Sequence, residues 1–145
     1  MREPSAGQWE HRRRKMAWQA GIVTVSDTRS QGIRADTTTP LIQRRLEEAG
    51  FAVCERALVP DERHHIQERL IEFTDGLKLS LVLTTGGTGF GPRDVTPEAT
   101  RAVIDRDVPG LPEAMRAATA QRTPLAWLSR ATAGLRGQTL IINLT

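Results

Sequence analysis

Short apolar runs alternate along this chain with stretches of helical spacing. Residues 21–25 (GIVTV) form a β-branched apolar run that predicts a buried strand. Residues 36–49 place Leu41, Ile42, Leu46 and Ala49 on one side of a helix, with Gly50 positioned to end it. Residues 51–59 (FAVCERALV) read as a second strand, with a wet portion at Glu55 and Arg56. Helical spacing returns from Asp61 to about Phe73, and residues 79–83 (LSLVL) give a third, nearly continuous apolar strand. At Thr96-Pro97-Glu98 a helix opens. Thr96 is the expected N-cap, Pro97 suits the first helical position and Glu98 complements the dipole. Residues 108–112 (VPGLP) interrupt this helix, residues 113–120 predict another, and residues 131–135 and 139–144 predict two late strands turning at Arg136-Gly137.

This alternation predicts an α/β fold of three layers, a mostly parallel open sheet with helices on both faces. Ligands of such sheets bind at the carboxyl ends of the strands. The residues that follow each strand are therefore the candidate chemistry. They are Ser26-Asp27 after the first, Pro60-Asp61-Glu62 after the second, Thr84-Thr85-Gly86-Gly87-Thr88-Gly89 after the third, and Asn143 at the end of the last. Gly86, Gly87 and Gly89 let the backbone come close to a ligand, and successive N–H groups of such a turn can form a nest for phosphate. The turn is neither a P-loop nor a dinucleotide fingerprint. Asp61 and Asp94 each admit two readings, as helix caps or as carboxylates that hold Mg²⁺ on a nucleotide. His64 and His65 are adjacent on a helix and so are expected on different faces, exposed.

Composition narrows the class. The chain has 145 residues, enough for one core. Its single cysteine, Cys54, excludes an internal disulfide, favours a cytoplasmic setting and is expected to be an inert strand or core residue. No apolar run approaches the roughly 20 residues that cross a bilayer, and no membrane partner is expected. The net charge of +3 arises in residues 1–20, where Arg2, Arg12, Arg13, Arg14 and Lys15 outweigh Glu3 and Glu10. The body is neutral, so no nucleic-acid partner is expected, and residues 1–19 read as a basic, disordered leader to a domain at 20–145.

Several segments together resemble the molybdopterin adenylyltransferase family. They are Val25-Ser26-Asp27, Val59-Pro60-Asp61-Glu62, residues 84–100 (TTGGTGFGPRDVTPEAT), Pro109-Gly110, Leu128-Ser129-Arg130 and residues 134–144 (GLRGQTLIINL). The resemblance runs from about Ala20 to Leu144. It implies transfer of AMP from MgATP to molybdopterin in molybdenum-cofactor synthesis, in a homotrimer that works with a molybdenum-insertion protein. Asp61 and Asp94 match the family's catalytic, Mg²⁺-holding carboxylates. Gly86, Gly87, Thr88 and Gly89 match its nucleotide turn, and Ser26 and Asp27 its first-strand rim. Ser129, Arg130 and Asn143 match positions near the pterin and its phosphate, with Arg130 expected to make a forked anion contact. The family pattern continues past Asn-Leu with a Pro-Gly loop and a helix, where this sequence reads Asn143-Leu144-Thr145. That difference leads to the expectation of a domain without its closing loop and helix, with lowered stability and pterin binding. The alternative is a non-catalytic molybdopterin-binding or trimer-forming module of the same fold.

Overall fold

A computed structural model describes residues 5–7 and 18–145, so the basic run at 12–15 lies outside the described residues. The body is one six-stranded sheet in the order β2-β1-β3-β6-β5-β4. In chain order the elements are β1 (Trp18–Val25), the short α1 (Asp27–Ser30), α2 (Thr38–Glu48), β2 (Phe51–Val59) and α3 (Arg63–Ile71), which runs into a π-helical turn (Glu72–Gly76). Then follow β3 (Leu81–Thr85), α4 (Thr96–Val103), β4 (Arg106–Asp107), α5 (Gly110–Ala120), a 3₁₀ turn (Pro124–Leu128), β5 (Ala133–Arg136) and β6 (Thr139–Asn143). β1 pairs in parallel with β2 and β3, and β3 with β6, while β5 and β4 close one edge antiparallel. The three-layered, mostly parallel α/β architecture expected from the alternation is the one observed. No helix among the described residues is long and apolar enough to cross a membrane.

The two faces of the sheet carry separate cores, because successive side chains of a strand point to opposite faces. Val23, Val25, Val59, Val82 and Ile141 meet Ile66 and Leu70 of α3, Ala99 and Val103 of α4, and Phe73. On the other face Ala20, Ile22, Leu81 and Leu83 meet Leu46 and Ile42 of α2. β1 and β3 are central, which is why their runs are apolar on both faces. β2 is an edge strand, which explains its wet middle. Cys54 is accordingly exposed there rather than buried, a correction to the core alternative. β1 also begins at Trp18, pairing with Phe51, so residues 18 and 19 belong to the sheet and not to a leader.

Helix ends differ from the sequence reading in an instructive way. Asp36, two residues before α2, accepts the N–H groups of Thr38 and Thr39 and so does the capping. Gly50 takes φ 94°, the left-handed conformation that ends a helix without a Cβ clash. Thr96 does not cap α4. The preceding residue there is Val95, without a side-chain bond, and Thr96 Oγ1 instead donates to the Gly86 carbonyl at 2.9 Å. α5 starts at Gly110, so Pro112 falls inside its first turn, where a missing N–H is harmless.

Phe73 is 1% exposed and packs over Gly21, where an added Cβ would come within 2.7 Å of its ring. Phe73→Ala is expected to lower stability by about 3–5 kcal/mol in urea denaturation, the usual range for a buried aromatic truncation. A loss below about 1 kcal/mol would show that this contact is loose.

Candidate functional site

The parallel strands β1, β2, β3 and β6 bring their carboxyl ends to one rim. At that rim β1 and β2 are locked by a reciprocal bond. The Asp27 N–H donates to Asp61 Oδ2 at 2.8 Å, and the Asp61 N–H donates to Asp27 Oδ1 at 2.9 Å. Ser26, immediately before Asp27, places its N–H on the Val59 carbonyl and its Oγ caps α1 through the Arg29 N–H. Asp61 therefore anchors the turn before α3 through Asp27. The capping position itself falls to Glu62, which makes no side-chain capping bond.

The glycine turn after β3 fits against this lock. Gly86 and Gly87 have φ of 92° and 71°. A Cβ at Gly86 would lie 2.2 Å from the Val25 carbonyl oxygen, and one at Gly87 would lie 2.3 Å from Thr96 Oγ1 and 3.3 Å from Asp61 Oδ1. Only glycine lets the loop run this close. Further along, the Gly91 N–H donates to Asp94 Oδ2 at 2.8 Å while the Asp94 N–H returns to the Gly91 carbonyl at 3.0 Å. The same Asp94 oxygen would be 2.9 Å from a Cβ at Gly89. Asp61 lies against one end of the glycine turn and Asp94 against the other.

Charge is unevenly compensated here. Arg93 holds Asp27 through a fork, Nε to Oδ2 at 2.6 Å and Nη2 to Oδ1 at 3.0 Å. That guanidinium, with the Asp61 N–H, holds the Asp27 carboxyl below its ordinary range. Asp61 goes the other way. Burial pushes its carboxyl up, and the charges of Asp27 and Asp94 push in the same direction, against the Asp27 N–H and the more distant Arg93. A raised carboxyl of this kind marks negative charge that the protein itself does not neutralise. Hard oxygen donors in that state suit a divalent cation.

The remaining expected site residues fall into two groups. Thr88 joins Gly86, Gly87 and Gly89 in the half-buried loop at the rim, and Ser129 is half-buried beside it, its Oγ accepting the Ala131 N–H. Arg130 and Asn143 are held by several bonds within the protein. The Arg130 N–H reaches the Thr88 carbonyl, Nε reaches Gly89 O at 2.8 Å, Nη2 reaches Asp94 O at 2.6 Å, and Nη1 pairs with Glu98. Its fork braces the loop from within. Asn143 is fully buried, donating to Thr84 Oγ1 and Thr100 Oγ1 and accepting the Thr132 N–H, so it ties β6 to β3 and α4 behind the rim. Arg93 and Glu98 are the partners that sequence reasoning missed. Their charges were visible, but nothing along the chain tells which acid each arginine meets.

With this geometry in hand, the similarities to known proteins become specific. A family model described as "Probable molybdopterin binding domain" matches residues 21–145. The molybdopterin adenylyltransferase of Escherichia coli is 44% identical over 86% of this chain and 65% of its own length. Gephyrin of Dictyostelium discoideum is 41% identical over 97% of this chain, which spans only 21% of that protein. Among solved structures, the molybdopterin biosynthesis enzyme MoaB of Thermus thermophilus superposes with a TM-score of 0.82 at 50% identity, covering 87% of this chain and 79% of that one.

Two outcomes follow from the strain and charge of the site. Gly86→Ala is expected to destabilise by at least about 1–3 kcal/mol in urea, since φ is left-handed and the clash is with backbone; an unchanged midpoint would contradict the close approach. Asp61→Asn keeps an acceptor for the Asp27 N–H but removes the uncompensated charge. Because the folded carboxyl titrates above its ordinary value, its contribution to stability is full at acid pH and is lost as pH rises through the raised value. The variant should therefore melt higher than wild type at neutral pH and converge with it near pH 3, and the reverse order in a pH series of melting curves would refute the assignment.

Proposed function

The chain belongs to the molybdopterin-binding domain family, and on that premise we propose that it transfers AMP from MgATP to molybdopterin in molybdenum-cofactor synthesis. The observation that carries this reading is the uncompensated Asp61 carboxyl, set against the glycine turn whose other end holds Asp94. The E. coli relative named molybdopterin adenylyltransferase supports the chemistry, and the sequence resemblance assigns it to these positions.

In this reading Asp61 and Asp94 would hold Mg²⁺, which when bound would neutralise charge on the triphosphate. The residues do the positioning. Gly86, Gly87, Thr88 and Gly89 admit the phosphates against bare backbone. Asp27 and Ser26 fix where Asp61 stands, and Arg93 keeps Asp27 charged and in place. Arg130 and Glu98 hold the loop, so that Asp94 meets the nucleotide at a set distance from Asp61. Ser129, half-buried beside the loop, would face the pterin. A phosphate oxygen of molybdopterin attacks the α-phosphorus of ATP. The bond from that phosphorus to its bridging oxygen breaks, and pyrophosphate leaves with the electron pair. Phosphoryl-type transfer depends mainly on positioning and charge, so a rim without a nucleophilic side chain is adequate.

The setting proposed is the cytoplasm, and the assembly proposed is a homotrimer handing its product to a molybdenum-insertion protein. The exposed Leu125, Trp127 and Leu128 of the 3₁₀ turn offer apolar surface for subunit contact.

Asp94→Asn retains an oxygen for the Gly91 N–H, and Asp61→Asn retains one for Asp27, so both isolate charge from shape. Each is expected to reduce AMP transfer to molybdopterin by more than about 1000-fold, of order 4 kcal/mol in the barrier. The measurement is radiolabelled AMP incorporation, and wild-type turnover in either folded variant would rule the mechanism out.

A further inference from the structure

Beside this rim, and outside the carboxylates proposed for Mg²⁺, three donors converge that the reaction does not use. Glu62, His64 and His65 each offer a ligand atom, and these atoms lie within 4.8 Å of one another. His64 Nε2 stands 3.7 Å and His65 Nε2 3.8 Å from the same oxygen, Glu62 Oε2. Both distances exceed a hydrogen bond, so the groups face one another without satisfying one another.

Adjacent helix positions ordinarily diverge, yet here the two rings have centroids 4.1 Å apart and are tilted by 36°. Glu62, the residue before α3, is extended, with φ −130° and ψ 128°, and its carboxylate lies over the first turn near both imidazoles. Its carboxylate makes no capping bond that would tie it elsewhere, and only its other oxygen approaches a cation, Arg93 Nη2 at 3.9 Å.

We propose that Glu62, His64 and His65 form a binding site for a borderline divalent transition-metal ion of the Zn²⁺ class. Two ligand atoms on one tetrahedral zinc, each about 2.1 Å from it, lie about 3.4 Å apart. The two carboxylate–imidazole spacings need to contract by only a few tenths of an ångström, and the third pair of donors, already within 4.8 Å, closes by the swing of exposed side chains. Two imidazoles and one carboxylate select zinc-like ions over Mg²⁺, which avoids nitrogen ligands. The three-donor set leaves a coordination position open to water or to a ligand at the rim. Since Glu62 follows Asp61 directly, the ion would sit beside the nucleotide site without sharing its donors.

Co²⁺ titration of the full chain in excess Mg²⁺, followed by visible ligand-field absorption and Zn²⁺ displacement, tests this. One Co²⁺ per chain is expected, retained in Asp61→Asn and Asp94→Asn. In His64→Ala and in His65→Ala the affinity should fall at least about 100-fold, since losing even an outer-shell partner costs about 10–100-fold. AMP transfer with Mg²⁺ should survive both histidine changes, which separates this site from the adenylylation reading. No ligand-field band in the wild type, undiminished affinity in both histidine variants, or loss of the band on removing Asp61 or Asp94 would each overturn the proposal.

Discussion

The close approach of the glycine turn to the end of β1 governs the whole rim. Gly86 lies so near the Val25 carbonyl that no Cβ fits, and Gly87 is equally tight against Thr96. This is what draws the chain leaving β3 across the ends of β1 and β2 before α4 begins. Without it Asp94 would have no reason to stand near Asp61, which comes from a different strand end. The approach is secured from both sides. Thr96 pins the start of the turn by donating to Gly86 O, and Arg130 spans Thr88, Gly89 and Asp94 from beyond. A side chain that looks like a cap and another that looks like an anion fork are thus spent on holding one loop.

Once the backbone is placed, electrostatics decides what each carboxylate can do. Asp27 receives a full arginine fork and an N–H, which leaves it a committed structural anion. Asp61 receives only the N–H of Asp27, under partial burial and beside other acids. The two acids exchange the same backbone bond, yet only one is neutralised. That asymmetry leaves one carboxylate in tension with its surroundings, the pattern of pKa values pushed apart that functional sites favour.

Much of this was legible in the sequence, for identifiable reasons. The strand runs at 21–25 and 79–83 read plainly because β1 and β3 are buried on both faces. The rim at Ser26, Asp27, Asp61 and the glycine turn followed from parallel topology alone. What could not be read were partnerships across the fold. Asn143 looked like a rim residue because it ends a strand, but the neighbouring Thr84 and Thr100 hydroxyls turn its amide inward. Cys54 sits in a strand-like run, and only strand order reveals that β2 is an edge. His64 and His65 leave α3 in different directions, as helical geometry requires, but their rings swing together over its first turn, which spacing along the chain does not reveal.

A concavity also opens at the opposite end of the sheet. It measures about 770 Å³ and lies at the amino ends of the strands among Trp18, Phe51, Lys78, Leu81, Arg136 and Leu140. Two of its charged residues already match each other, since Arg136 Nη2 meets Asp75 Oδ2 at 2.7 Å and that pairing holds Asp75 below its ordinary range. It has no glycine backbone at close approach and no carboxylate pushed upward. The carboxyl-end rim has both, because parallel strands gather loop residues there from segments far apart in sequence. What distinguishes a site in this molecule is unbalanced charge beside bare backbone, and volume is no substitute for it.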